Sequence, residues 1–235
     1  ADITHIIREL HKVVDEAIDI TQADRVSEPL APYDISKIDF DRLKAELERS
    51  TKKNTTVQNL RQAIENRVQR LLEQNPLRTD FQRRYEEIVA EYNKEKDRAT
   101  IEQTFEALLK FIQEMDEEDA RAVREGLDEE SLAIYDLLFK PQLEGSEIKT
   151  IKAVAIELLR TLKAEKLRVD QWREKEATRD AVRQTIHDFL YSEKTGLPVD
   201  AYPEEEVKTR SEEVFRHVYR AYPRLPSPFY GDKAA

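Results

Sequence analysis

The chain has 235 residues, enough for one large helical domain or two smaller ones. With 37% charged residues, a formal net charge of -10 and a mean hydropathy of -0.74, much of its surface is solvated and core residues are scarce. No run of about 18 apolar residues is present to span a bilayer, and the absence of cysteine removes disulfides, thiol nucleophiles and zinc-thiolate sites together. The opening Ala1-Asp2-Ile3-Thr4 carries neither a basic leader nor an apolar signal segment, so the expected location is cytoplasmic. Its abrupt start is what a piece of a longer polypeptide would show.

Taken in order, Ile6, Leu10, Val13, Val14, Ala17 and Ile18 have helical spacing and predict a helix over 3–20. Pro29 and Pro32 make 21–36 a loop, and Asp39 caps a short helix carrying Phe40, Leu43 and Leu47. Thr55 with Gln58, Thr79 with Gln82 and Thr100 with Gln103 each have the spacing of a capping box. They start predicted helices over 55–74, through Tyr85, Ile88, Val89 and Tyr92, and through Phe105, Leu108, Leu109 and Ile112. Short helices follow at 117–124 and 128–139, split by Gly126. Pro141 and Gly145 mark 140–146 as the boundary between two helical subdomains, 1–140 and 146–222.

Beyond that boundary Ile148, Ile151, Ala155, Leu158 and Leu162 lay an apolar stripe along a helix, which Ala153-Val154-Ala155-Ile156 should widen. A second helix is expected over 172–191 with Val182, Ile186, Phe189 and Leu190 inward. After Gly196-Leu197-Pro198 a third runs through 214–219 and ends before Pro223, leaving the tail 223–235 as an extended strap or disordered. The four glycines and nine prolines all fall at junctions or in the tail. In helix interiors these residues cost about 1 and 3 kcal/mol respectively, so their confinement is an all-α signature. The fold expected is an irregular multi-helix bundle with no period-2 strand.

Charge is uneven. Residues 52–84 hold eight basic side chains against three acidic ones, and 86–130 hold sixteen acidic against six basic. Such asymmetry marks either a solvated helix face or a surface that meets a charged partner. Four scattered glycines cannot form a phosphate-cradling P-loop, and His5, His11, His187 and His217 lack the spacing of a helical zinc site. No catalytic or metal-binding residue is assigned. Trp172, with Arg173, Lys175, Arg179 and Arg183, reads in two ways: a basic-aromatic patch for phosphates or an acidic partner, or a buried tryptophan with Arg179 paired to Glu176. His217 reads as a hydrogen-bonded histidine at a helix interface, and Tyr219 and Tyr222 as packing residues with wet hydroxyls.

Several ordered words carry a resemblance. Leu167-Arg168-Val169-Asp170-Gln171-Trp172-Arg173, then Arg179-Asp180-Ala181-Val182-Arg183, then 214–222 with Phe215-Arg216-His217-Val218-Tyr219, resemble the C-terminal end of type I restriction enzyme motor subunits. Asp180 before Ala181 is a local departure. Upstream, Tyr33-Asp34-Ile35-Ser36-Lys37-Ile38-Asp39-Phe40 and Asn75-Pro76-Leu77-Arg78-Thr79-Asp80-Phe81 are similar to the helical region preceding that end. The resemblance implies a non-catalytic region of an ATP-dependent type I site-specific deoxyribonuclease. Such a region docks the motor subunit onto the methyltransferase and specificity subunits and supports DNA translocation and cleavage performed elsewhere. ATP and magnesium would then belong to the parent enzyme and no cofactor to this chain. The contact candidates are Trp172, Arg173, Arg179 and Arg183. The alternative is direct DNA binding through the basic segment 52–84, using Arg61, Arg67, Arg70, Arg83 and Arg84.

Overall fold

The computed structural model describes residues 53–94 and 98–230, and every regular element among them is an α-helix, as expected. In chain order these are α1 (Lys53–Gln74), α2 (Thr79–Lys94), α3 (Arg98–Asp119), α4 (Arg121–Glu125), α5 (Glu129–Leu138), α6 (Gly145–Glu165), α7 (Glu176–Tyr191) and α8 (Glu204–Ala221). The helices predicted at 3–20 and 39–47 and the loop at 21–36 lie outside the described residues. So do the side chains of the boxes at Thr55 and Thr100. At the third box, α2 begins on Thr79 itself, and Gln82 turns its amide forward to Glu86 at 2.9 Å.

The described residues form two compact units, 53–69 with 80–119 and 70–79 with 120–230. In the first, α1 supplies Ala63, Ile64 and Val68, α2 supplies Tyr85 and Tyr92, and α3 supplies Phe105, Leu108, Leu109, Phe111, Ile112 and Met115. The Phe111 ring sits 5.8 Å from Phe81 and 6.2 Å from Tyr85. The Tyr85 hydroxyl donates to the Arg61 carbonyl at 3.1 Å, giving a buried phenol a partner.

The second unit is built on α6. Its buried residues are Ile151, Val154, Ala155, Leu158, Leu159 and Leu162, and burying each of the larger ones contributes roughly 1.5–3 kcal/mol. The stripe is wider than i, i+3, i+4, as expected, but Val154 and Leu159 widen it, whereas Ala153 is exposed and Ile156 is 40% exposed. One continuous core joins this face to Leu132, Ile134, Leu137 and Leu138 of α5, to Val182, Ile186 and Leu190 of α7, and to Val207, Val214, Phe215 and Val218 of α8. Because α5 shares that core, the turn at 140–146 lies inside the second unit. Lys140 holds it there, with Nζ 2.8 Å from Glu206 and 4.4 Å from the Tyr202 ring centre.

Two start signals were not singled out by spacing. Asp128 caps α5 by accepting from the Ser131 N–H at 2.6 Å. Glu144 and Glu147 form a reciprocal box at the start of α6, with glutamate where serine or threonine is usual. Helix α7 starts at Glu176 and not at Trp172, because Gln171 takes a left-handed φ of 52° and the chain turns through 172–175 first. Helix α8 starts at Glu204, directly after Pro203, and carries Glu204, Glu205 and Glu206 in its first turn, where the helix dipole favours negative charge.

Gly126 and Gly196 are each required, for different reasons. Gly126 ends α4 at φ 71°, with its N–H on Val123 and the Leu127 N–H on Ala122, a Schellman motif. At Gly196 a Cβ would fall 2.3 Å from the Leu190 carbonyl oxygen and 2.6 Å from that of Ser192. Gly126→Ala meets nothing within 4 Å, so it should cost only the left-handed penalty, about 1 kcal/mol. Gly196→Ala should cost distinctly more, since backbone must move. Urea midpoints of the two variants give the ordering directly.

Candidate functional site

A helix leaves its last four carbonyls without intrahelical donors, and a buried end must find them elsewhere. The end of α8 finds them in side chains from outside the helix, two of them remote in sequence. The Trp172 indole N–H donates to the Tyr222 carbonyl at 2.9 Å, Arg173 Nη1 to the Tyr219 carbonyl at 3.1 Å, and the Ser227 hydroxyl to Ala221. Trp172 is 1% exposed and meets Tyr219 edge-on at 5.9 Å. It is therefore a core anchor.

The arginines around it hold the fold and also shape a surface. Arg179 does not pair with Glu176; its Nη1 donates to the carbonyls of Arg173 and Glu174 at 2.8 and 3.2 Å, closing the turn before α7. Arg173 lies 5.3 Å over the Tyr219 ring, and Arg183 lies 4.1 Å over Phe215 while its Nε meets Glu212 at 3.0 Å. Since Phe215 and Tyr219 are neighbours at 6.1 Å, two guanidiniums are laid side by side on two adjoining rings of α8. Tyr219 is 37% exposed and Arg183 is partly open. The structure thus brings Arg173, Arg179 and Arg183 together at the surface beside Trp172, which is buried beneath them and is not part of that face.

The basic segment has a different fate. Arg67 is only 4% exposed and its Nη2 is 2.6 Å from both Asp116 and Asp119. Arg84 pairs with Glu114 and lies 5.7 Å over Phe111, Arg61 lies 5.2 Å over Tyr92, and exposed Arg83 meets Asp80 at 3.2 Å. Arg70 is exposed near the end of α1. In the first unit, basic α1 and α2 are thus paired partly with acidic α3 and partly within α2.

A buried polar network lies behind the α8 end. Tyr222 is fully buried, so its hydroxyl is not wet as expected; it donates to Glu130 at 2.6 Å, and Glu130 also pairs with Lys163. The Tyr222 ring stacks on Tyr230 at 5.9 Å. The Tyr230 hydroxyl donates its one hydrogen to the Gln74 carbonyl and sits 3.2 Å from His217 Nε2. His217 must therefore be the donor of that second bond, which fixes its tautomer. Burial pushes both tyrosine phenols up, and burial together with Arg220 lowers His217 to about 4. Sequence patterning missed Glu130, Lys163 and Tyr230, because contacts across 90 or so residues leave no periodic trace. Among the described residues no group of His, Cys, Asp and Glu side chains is placed to hold a metal ion, and no helix is long and apolar enough to cross a membrane.

Residues 2–222 match a family model described as type I restriction enzyme HindI endonuclease subunit-like, C-terminal. Searches of curated proteins and of solved structures give no match.

Two outcomes follow from this geometry. Trp172→Phe keeps an aromatic ring but orphans the buried Tyr222 carbonyl, and should cost about 1–3 kcal/mol in denaturant unfolding. The unfolded chain protonates His217 near 6.5 and the folded chain only near 4, so its contribution to stability falls as pH drops from 6.5 through 4. The full loss is on the order of 3 kcal/mol. Unfolding curves of the natural chain and His217→Gln should therefore converge toward acid pH, the natural chain losing more.

Proposed function

The chain belongs to the type I restriction enzyme HindI endonuclease subunit-like C-terminal family, and from that premise we propose that it docks the endonuclease subunit onto the methyltransferase and specificity subunits. DNA translocation and cleavage, with their ATP and magnesium, take place on other parts of the polypeptide. The observation that carries this reading is the Arg173–Tyr219–Phe215–Arg183 face. Arginine and tyrosine are the residue types that dominate binding energy at protein interfaces. Here both guanidiniums are already stacked and bonded, so docking orders few side chains and loses little entropy.

The alternative of direct DNA binding through 52–84 has less support. Arg67 is buried between two aspartates, and Arg84 is paired with Glu114, so these charges are not presented to phosphates.

The test uses the full endonuclease subunit with Tyr219→Ala and Arg183→Glu, leaving Arg179 intact because it closes the turn before α7. Each change should weaken co-purification with the methyltransferase–specificity complex by at least about tenfold, with the melting profile of the region retained. Undiminished association of the double variant would sink the assignment of this face. A mobility shift of the 235-residue chain at low salt, weakening by roughly 0.9 log units per phosphate contact per log unit of salt, would instead favour the DNA reading.

A further inference from the structure

The segment after α8 lies beyond the residues matched by the family, yet it reaches back across the second unit to the last turn of α1. Its contacts form a short series. Ser227 takes the Ala221 carbonyl, Leu225 packs at the edge of the core, and Tyr230 stacks on Tyr222. At the far end Gln74 is engaged twice. Its carbonyl accepts from the Tyr230 hydroxyl, and its side-chain amide donates to the Phe229 carbonyl at 2.9 Å.

Just past Gln74, Asn75 and Arg78 are almost fully buried. Asn75 donates to Asp136 at 2.6 Å, and Arg78 meets Glu129 at 3.0 Å. Asp136 is itself gripped through both oxygens by Arg121. The 75–78 turn thus has its own anchors in α5, and the strap is tied to the end of α1 at Gln74. Only Leu225 and Tyr230 of the strap pack against the core, and both at its edge; its other attachments are hydrogen bonds, whereas α6, α7 and α8 are held by rows of fully buried apolar side chains. Attachments of this kind open locally well before a domain unfolds.

We propose that residues 223–230 are a releasable latch on the last turn of α1, with Tyr230 as its catch and the 75–78 turn as the fixed hinge behind it. Closed, the latch supplies a donor to the terminal carbonyl of α1 in a partly buried site. Open, it returns that carbonyl and the Gln74 amide to water while Asn75 and Arg78 stay in place. His217 steadies the closed form by donating to the Tyr230 oxygen from the opposite side. The device stands apart from the docking face, since it uses none of that face's side chains.

Hydrogen exchange on the 235-residue chain tests it. Tyr230→Phe keeps the ring stack and removes the hydroxyl, and should speed exchange of the amides at 71–75 about tenfold, with α6 and α7 unchanged. Gln74→Ala should act on the other partner, making 225–230 more readily cut by protease. A chain ending at Tyr222 should show the Tyr230→Phe effect at full size. Unchanged exchange at 71–75 in Tyr230→Phe would overturn the latch. So would equal loosening of every helix, which would make the strap ordinary core packing.

Discussion

The need to satisfy helix ends shapes the polar contacts of the second unit. Several of its helices end against other parts of the unit, where a carbonyl cut off from water and left without a donor costs about 1–3 kcal/mol. The solution recurs with different residues. Leu137 and Leu138 at the end of α5 receive Arg210 and Tyr202, Glu125 at the end of α4 receives Lys152, and Gln74 at the end of α1 receives Tyr230. Tyr219, Ala221 and Tyr222 at the end of α8 receive Arg173, Ser227 and Trp172. Every donor is a side chain, and most come from another element. These bonds specify which helix end meets which partner, a task that non-directional apolar burial performs poorly.

The same economy appears among the described residues of the first unit, where oppositely charged stretches of the chain meet. Basic α1 and α2 lie in a unit with acidic α3, and Arg67 and Arg84 meet Asp116, Asp119 and Glu114 there. A buried arginine of this kind needs its carboxylates more than they need it, because removing either leaves an uncompensated charge. Charge asymmetry along the chain is therefore converted into internal cohesion.

The Trp-Arg word and the Phe-x-His-Val-Tyr word, far apart in sequence at Trp172 and Phe215, turn out to be two halves of one construction. Trp172 and Arg173 cap the helix that Phe215 to Tyr222 complete, and in doing so Arg173 is laid on Tyr219 as part of the outward face. A structural requirement and the proposed docking surface thus share the same side chains. That sharing is why composition alone left two readings of Trp172 open: the indole is buried, while the guanidinium next to it remains partly at the surface.

Helical class, and much of the core, were legible in the sequence because both depend on local periodicity. Ile151, Ala155, Leu158 and Leu162, and Val182, Ile186 and Leu190, are inward where their spacing places them. Gly126 and Pro223 stop helices for reasons internal to each residue. The family was likewise readable from ordered words. What the tertiary structure alone decided is which elements share a core and where each polar side chain goes. Pro141 and Gly145 look like a boundary, but α5 and α6 bury their apolar faces against each other across it. Arg179 has Glu176 within helical reach, yet it takes two backbone carbonyls instead. Tyr222 has the sequence of a surface phenol and the setting of a core one. Periodicity fixes which face of a helix is apolar; only the closed fold, by excluding water from particular helix ends, decides which donor must travel to meet them.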